Sequence, residues 1–148
     1  MAEPSFIRTR VANGGGEVVL DRPAALNALD SSMIRDLYEP LVRWRDDPEI
    51  TAVLVTSASD RAFCAGGDIK SVREAALTGD TALVRDYFAA EYRLDELVAT
   101  YPKPYLALLD GVTMGGGLGI SVHGAVRVVS EKALLAMQQS IDAPLSIG

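Results

Sequence analysis

The sequence predicts an α/β protein, because short apolar segments typical of strands alternate with longer segments of helical periodicity. Its 148 residues are enough for a single domain with a buried core. Two glycine-rich stretches each follow a strand-like segment and precede a helix-like one, as turns between strands and helices do. We therefore expect one domain over residues 1–148, built from a sheet with helical crossovers.

Five apolar segments bounded by turn residues are predicted to be strands. They cover residues 18–20, 52–56, 105–109, 126–129 and 134–137. The last two follow each other with only a short connection, so the order is not a simple alternation of strand and helix.

The first helix is predicted over residues 33–45, where five apolar side chains recur at helical spacing. They are Met33, Ile34, Leu37, Leu41 and Trp44. Asp30, Ser31 or Ser32 can serve as its N-cap. Pro40 has no backbone N–H to donate, so we expect it to kink or interrupt this helix.

Three further helices are predicted along the chain. Asp68 is expected to cap a short one that runs to about Leu77, and Asp80 or Thr81 to open a long one over residues 82–99. The long helix places six apolar or aromatic side chains on one side, namely Leu83, Tyr87, Leu94, Leu97, Val98 and Tyr101. The last helix runs from the second glycine-rich stretch to about His123.

Glu91 lies on the apolar side of the long helix, four residues after Tyr87 and three before Leu94. One interpretation is that a carboxylate in that position has a function or is held by an unseen cation; the other is that it sits at the edge of the apolar stripe and reaches water. The sequence alone leaves both interpretations open.

The composition excludes several classes of function. The net charge is −6 with a pI near 4.7, and no Lys/Arg cluster indicates nucleic acid or an anionic membrane as a partner. Cys64 is the only cysteine, so no disulfide can form within the chain and a reducing compartment is expected. With no signal-peptide-like start and no long apolar segment, we predict a cytoplasmic protein.

No metal site is predicted, because the chain has no Cys, His and Asp cluster at ligand spacing. We expect His123 to have a structural role and Cys64 to fill space in the core, since no base is placed beside it. The chain also lacks a Walker loop, a GxGxxG fingerprint and a GxSxG elbow. Nucleotide binding and serine-hydrolase chemistry are therefore poorly supported.

The two glycine-rich stretches carry the functional hypothesis. The first glycine motif is residues 62–69 (AFCAGGDI), and the second is residues 110–119 (DGVTMGGGLG). Two such turns facing each other could direct two backbone N–H groups at one oxygen, which is the geometry of an oxyanion hole. The alternative is that both are only tight turns between strand and helix, for which glycine is the usual residue.

These motifs resemble the crotonase, or enoyl-CoA hydratase/isomerase, superfamily. The resemblance also includes residues 22–29 (RPAALNAL) and Lys103-Pro104, and extends to about Met137. Residues 91–94, 115–124 and 133–137 are most similar to its 3-hydroxyisobutyryl-CoA hydrolase branch, thioester hydrolases of valine breakdown. The implied fold is a spiral of ββα units that binds an acyl-CoA.

The resemblance also implies roles for individual residues. The N–H groups of Gly67 and Gly116 would hold the thioester oxygen, and Glu91 would contact the substrate. The CoA channel would be lined by Ala24, Ala25, Leu26, Ala65, Asp68 and Ile69. No separate cofactor is implied, because coenzyme A is part of the substrate.

The chain departs from the family pattern at three positions. Gly119 stands where hydratases carry a catalytic glutamate, which disfavours hydratase activity. Gln139 and Ile147 stand where the hydrolases carry catalytic glutamate and aspartate. A glutamine side chain cannot act as a general base at neutral pH, so thioester hydrolysis is expected to be absent or very slow.

Residues 138–148 form a divergent tail, and the family's C-terminal helical region is absent from the sequence. We therefore expect exposed apolar surface and a weakened homo-oligomer. A truncated or frameshifted hydrolase, a natural short acyl-CoA-binding protein and a chain in which Asp142 replaces a lost carboxylate remain open. A different class of function, an interaction module that depends on a partner, remains open as well.

Overall fold

The computed structural model describes residues 5–121 and 126–136. The strands are β1 Ile7–Ala12, β2 Gly15–Leu20, β3 Ala52–Ser57, β4 Ala62–Cys64, β5 Tyr105–Leu109, β6 Val112–Met114, β7 Val126–Val129 and β8 Leu134–Ala136. The helices are α1 Ser31–Arg45, α2 Lys70–Thr78, α3 Thr81–Ala99 and the single-turn α4 Gly116–Gly119. A 3₁₀ turn covers Pro23–Ala25.

The strands form two sheets. The larger sheet has the order β1-β2-β3-β5-β7, and the smaller has the order β4-β6-β8. Only the β1–β2 pair is antiparallel among these strands. Successive strand pairs β3–β4, β5–β6 and β7–β8 each give one strand to each sheet, and helices follow the first two pairs. This repetition of ββα units confirms the predicted α/β spiral.

The hydrophobic core lies where the larger sheet meets α1 and α3. Val18, Leu20, Val53 and Val55 alternate with less buried residues along β2 and β3, as expected for a sheet with one covered face. Trp44 of α1 packs so closely on the backbone of β2 that a Cβ on Gly16 would stand only 2.5 Å from its ring.

Helix α1 forms largely as predicted. Asp30 is its N-cap, and its carboxylate accepts a hydrogen bond of 2.8 Å from the backbone N–H of Met33. Pro40 was expected to kink or interrupt the helix; the interruption is wrong, since α1 is continuous across Pro40, and the kink stays a prediction. The buried face that contains Leu37, Leu41 and Trp44 outweighs the single hydrogen bond that proline removes.

Several boundaries differ from the predictions. Helix α2 begins at Lys70 with Ile69 as its N-cap, whereas Asp68 was predicted to cap it. Strands β4 and β6 lie inside the glycine motifs, where sequence reasoning expected only turns. Strand β1 was missed because five of its six residues are exposed and its pattern is not apolar. The predicted ends at His123 and Met137 lie outside the described residues.

Exposed aliphatic side chains occur on the last strands, as expected for incompletely covered sheets. They are Leu108, Val128, Val129, Leu134 and Leu135. None of the helices in residues 5–121 and 126–136 has the length and apolar character that a bilayer crossing needs.

Candidate functional site

Strand pairing brings the two glycine motifs side by side. Strands β4 and β6 are parallel neighbours, and Cys64 is paired with Thr113. Gly67 lies three residues after Cys64, and Gly116 lies three residues after Thr113. Because parallel strands end at the same edge of a sheet, both glycines lie in turns that leave this edge together.

Each of these two glycines follows a glycine with a positive φ. Gly66 has a φ of 113° and Gly115 has a φ of 48°, which are values that residues with side chains rarely adopt. Each motif thus uses a left-handed glycine directly before the residue whose N–H is proposed to bind the ligand. The positive φ at Gly66 and Gly115 explains why both motifs carry glycine at this point of the turn.

The first glycine motif is also attached to the loop before α1. Leu29 N donates to Gly66 O at 2.8 Å, and Asp68 N donates to Leu29 O at 2.8 Å. These two bonds form a parallel bridge between Leu29 and Gly67. In a parallel bridge of this kind the central residue's own N–H points away from the partner, so Leu29 does not occupy the N–H of Gly67.

Helix α3 packs against Gly67 through two polar side chains. A Cβ on Gly67 would stand 2.6 Å from the hydroxyl of Tyr87 and 3.7 Å from Oε2 of Glu91. The Tyr87 hydroxyl donates to Leu29 O at 2.8 Å and is thereby fixed. Only glycine allows this close approach at position 67.

Glu91 is half-buried beside the first glycine motif. Burial, and then the nearby charge of Asp95, raise the pKa of Glu91 above its usual value. The buried Tyr87 hydroxyl also has a raised pKa, chiefly through burial and then through the charge of Glu91. Glu91 is therefore not a fully solvated edge residue, and within residues 5–121 and 126–136 no cationic side chain forms an ion pair with it.

Asn27 holds the loop of residues 22–28 against β4. It is fully buried with a φ of 58°, and its Nδ2 donates to Ser57 Oγ at 2.7 Å and to Phe63 O at 3.0 Å. Its Oδ1 accepts from Arg22 N at 2.7 Å. Ala65 N donates to Leu26 O at 2.9 Å, so the loop and the first glycine motif form one unit.

Asp68 is bound to the same loop. The guanidinium of Arg22 donates to Asp68 Oδ2 and to Ala28 O, each at 2.9 Å, and it lies 3.7 Å from Asp30. Asp68 Oδ1 also accepts from Lys70 N at 3.3 Å. The carboxylate thus ties α2 to the loop, which explains an acidic residue at this position without a ligand.

The second glycine motif is packed closely on its neighbours. A Cβ on Gly117 would stand 2.4 Å from Cys64 O, and a Cβ on Gly119 would stand 2.6 Å and 2.8 Å from the two carboxylate oxygens of Asp95. Cys64 is fully buried, and burial raises the pKa of its thiol to about 12. A thiol of that pKa does not ionise near neutral pH, so Cys64 fills space in the core as predicted.

The structure therefore brings together most of the residues that the sequence indicated. Gly67 and Glu91 are in contact range, Leu26 is bonded to Ala65, and Ala24 and Ala25 lie in the adjoining 3₁₀ turn. Ile69 is 43% exposed beside them. Their roles toward a ligand stay predictions. Gln139, Ile147, Asp142 and His123 lie outside the described residues.

Sequence reasoning missed Asn27, Tyr87 and Asp95 as residues that shape this site. Asn27 was read as part of a loop, and Tyr87 only as an apolar member of the α3 stripe. The spacing of Tyr87, Glu91 and Asp95 by four residues could have shown that one helix face carries three polar groups.

Within the described ranges, no group of three or more His, Cys, Asp or Glu side chains is arranged to hold a metal ion. A groove of about 480 Å³ lies between α1 and α3, lined by residues that include Ile34, Tyr38, Val42 and Ala90. It contains none of the residues predicted for ligand binding.

Comparison with known proteins identifies the family. The sequence model of the enoyl-CoA hydratase/isomerase family matches residues 15–140. The chain belongs to this family. Solved structures agree: an enoyl-CoA hydratase from Rhodobacter sphaeroides 2.4.1 superposes with a TM-score of 0.87 at 39% identity, over 90% of this chain and 40% of that one. A carnitinyl-CoA dehydratase from Mycobacterium thermoresistibile gives 0.87 at 40% identity, over 90% and 39%.

Curated relatives are named as hydrolases. Mitochondrial 3-hydroxyisobutyryl-CoA hydrolase of Gallus gallus is 47% identical over 127 residues, which are 86% of this chain and 33% of that protein. The Homo sapiens protein of that name is 45% identical over 125 residues, 84% of this chain and 32% of that protein. This chain spans about a third of the length of these relatives. Their names place them in mitochondria, and the cytoplasmic location of this chain stays a prediction.

Proposed function

We propose that this chain binds an acyl-CoA thioester through the N–H groups of Gly67 and Gly116, in a site of the 3-hydroxyisobutyryl-CoA hydrolase type. The observation that carries the proposal is the equivalent position of the two glycine motifs after the paired strands β4 and β6. The left-handed Gly66 and Gly115 add to it. The names of the curated relatives supply the acyl group.

The chemistry accounts for this arrangement. Attack on a thioester carbon, or formation of its enolate, places negative charge on the carbonyl oxygen. Two fixed N–H groups stabilise that charge without reorganising, and loss of one such donor costs roughly 3–4 kcal/mol in enzymes. Glycine at both positions lets the ligand approach the backbone closely.

Glu91 is proposed to contact the acyl group, since it lies beside Gly67 on the apolar side of α3. Burial and the charge of Asp95 raise its pKa, which is the direction of shift that suits a carboxyl group acting as a general acid or base. The loop of Ala24, Ala25 and Leu26 and the adjoining Ala65, Asp68 and Ile69 are proposed to line the CoA channel.

We further propose that the chain hydrolyses the bound thioester slowly or not at all. Gln139 and Ile147 occupy the positions where the resemblance places catalytic carboxylates. Gly119 leaves no acid or base at the hydratase position, and its backbone packs on Asp95. The chain therefore has no carboxyl group at the positions from which the hydrolases or the hydratases would activate a water molecule.

Titration calorimetry tests the binding proposal. We expect isobutyryl-CoA to bind more tightly than isobutyrate or free coenzyme A, and Gly116→Pro to abolish this preference because it deletes an N–H donor. A Gly15→Ala variant at the first residue of β2, outside both motifs, serves as a control, since its Cβ would stand 3.3 Å from Ala12 O. Absence of binding by folded wild-type protein would refute the proposal.

Thiol release from 3-hydroxyisobutyryl-CoA tests the second proposal. A turnover on the order of 10 s⁻¹, ordinary for an enzyme, would show that another group supplies the base. Glu91→Gln and Asp142→Asn would then be compared, and the variant that loses turnover while retaining binding would mark that base.

A further inference from the structure

One face of α3 touches both glycine motifs. Tyr87 and Glu91 lie against Gly67, and Asp95, one turn further along the same face, lies against Gly119. The contacts are close: Tyr87 Oη lies 2.6 Å and the Asp95 oxygens lie 2.6 Å and 2.8 Å from the respective Cβ positions. A single rigid helix therefore spans the two turns that carry the proposed N–H donors.

The contact at Gly119 acts on the short helix that contains Gly116. Gly119 N donates to Gly115 O at 3.2 Å, so these residues move as one turn. On another side of this turn, Gly117 rests on Cys64 at the end of β4. The turn is thus held between α3 and β4, and neither contact leaves room for a methyl group.

We propose that Asp95 is a positioning residue of the thioester site, which fills the space beside Gly119 and thereby sets where α4 holds the N–H of Gly116 relative to that of Gly67. The inference rests on the proposed function of those two groups. The Oδ1 atom of Asp95 is shielded from solvent, as expected for a side chain packed against backbone. A shorter side chain would leave a gap into which α4 can shift.

The inference also explains why position 119 carries glycine in this chain. Any Cβ there would overlap a carboxylate that α3 holds in place. The two positions are therefore coupled, and substitution of either one is expected to displace the same turn. Asp95 acts through α4 and need not touch the ligand.

The experiment compares two ligands that differ only in the carbonyl group: isobutyryl-CoA and its thioether analogue S-isobutyl-CoA. The ratio of their affinities measures the contribution of the two N–H donors. We expect Asp95→Ala to lower this ratio about fivefold to tenfold, the worth of roughly one hydrogen bond, with little change in thioether affinity. A purely structural loss would weaken both ligands equally.

Asp95→Asn keeps the shape of the side chain and is expected to retain the wild-type ratio, as is Glu96→Gln, an exposed control on the same helix. If Asp95→Ala fails to fold, Asp95→Ser leaves a similar gap and is expected to lower the ratio in the same way. A wild-type ratio in folded Asp95→Ala or Asp95→Ser overturns the inference, and so does an Asn variant as impaired as the Ala variant.

The double variant provides a sharper test of the coupling. Gly119→Ala alone is expected to lower the ratio, because its methyl group overlaps Asp95. When Gly119→Ala is combined with Asp95→Ala, its methyl group occupies the space that the aspartate side chain left. The affinity ratio of the double variant should therefore exceed that of either single variant. A double variant no better than the poorer single one means that Asp95 does not act through Gly119. If wild-type protein itself fails to distinguish the ligands, the proposed function fails, and this inference fails with it.

Discussion

The two glycine motifs occupy equivalent places in the fold, but different contacts hold them. Hydrogen bonds from Asn27, Leu29 and Tyr87 fix the first motif and the loop beside it. The second motif accepts a buried hydrogen bond of 2.7 Å from Ser121 Oγ at Gly117 O. It also shows close approach at two of its glycines, with Gly117 on Cys64 and Gly119 on Asp95. Hydrogen bonds to the neighbouring loop thus distinguish the first motif, and close approach of glycine backbone to β4 and α3 distinguishes the second.

This difference separates two ways to preorganise a backbone N–H. A hydrogen-bonded loop loses its geometry when a partner is removed, because buried donors and acceptors are left unpaired. A close-packed glycine turn loses its geometry when an atom is added, because the interior has no free volume. The following substitutions probe each kind of support.

The largest effect is expected for Gly117→Ala in the second motif. Its Cβ would stand 2.4 Å from the backbone oxygen of Cys64 and 2.8 Å from Cys64 Cβ, which cannot move without disturbing β4. We expect about 3 kcal/mol of destabilisation, the upper part of the range for overpacked cores. Urea unfolding would measure it, with Gly15→Ala as the control. A loss similar to that of the control would show that the turn is loosely packed.

The second effect is expected for Asn27→Ala in the loop of the first motif. The variant removes the side chain that bonds Arg22 N and Phe63 O, and it also places alanine at a φ of 58°. We expect a loss of about 2 kcal/mol. Ser57→Ala serves as a comparison, because Ser57 Oγ accepts a hydrogen bond from Asn27 Nδ2 and its removal leaves the other bonds of Asn27 in place. Should Asn27→Ala prove neutral in urea unfolding, hydrogen bonding would not be the support of this motif.

A smaller effect is expected for Gly67→Ala, because its Cβ would meet the end of a side chain, the hydroxyl of Tyr87 at 2.6 Å. We expect about 1–2 kcal/mol, as for moderate overpacking. Tyr87→Phe removes the obstructing atom, so the cost of Gly67→Ala should fall by at least half in that background. Additive losses in the double-mutant cycle would contradict a direct contact between the two residues.

The sequence predicted the parts of this fold that depend on periodicity. Strand β5 and the long helix α3 have strong apolar patterns, and their boundaries match within about one residue. Strands β4 and β6 have three residues each, too few for a period to appear, and glycine turn chemistry obscured them. The interruption expected at Pro40 did not occur, because local propensity ignores the burial of the surrounding helix face.

The candidate site was predictable where it depends on backbone. The glycine motifs indicated paired N–H donors, and the parallel pairing of β4 and β6 supplies the adjacency. The contact between Asp95 and Gly119 joins residues 24 positions apart in sequence, and only packing of α3 on α4 creates it. Likewise, the four-residue spacing revealed that Glu91 faces the core, but its position beside Gly67 required the tertiary structure.

The smallest effect on stability is expected from the charge of Glu91, whose carboxylate lies beside Gly67 of the first motif. Because burial raises its pKa, the folded state binds this proton more tightly than the unfolded state does. The contribution of Glu91 to wild-type stability should therefore decrease as pH rises through the usual pKa of glutamate, about 4.3, up to the raised value. Glu91→Gln removes this loss, so the variant should gain stability relative to wild type as pH rises and then level off.

Glu96→Gln, on the exposed side of α3, should show no such trend. Unfolding in urea at a series of pH values measures the difference, and the opposite slope would place Glu91 in a site that favours its charged form.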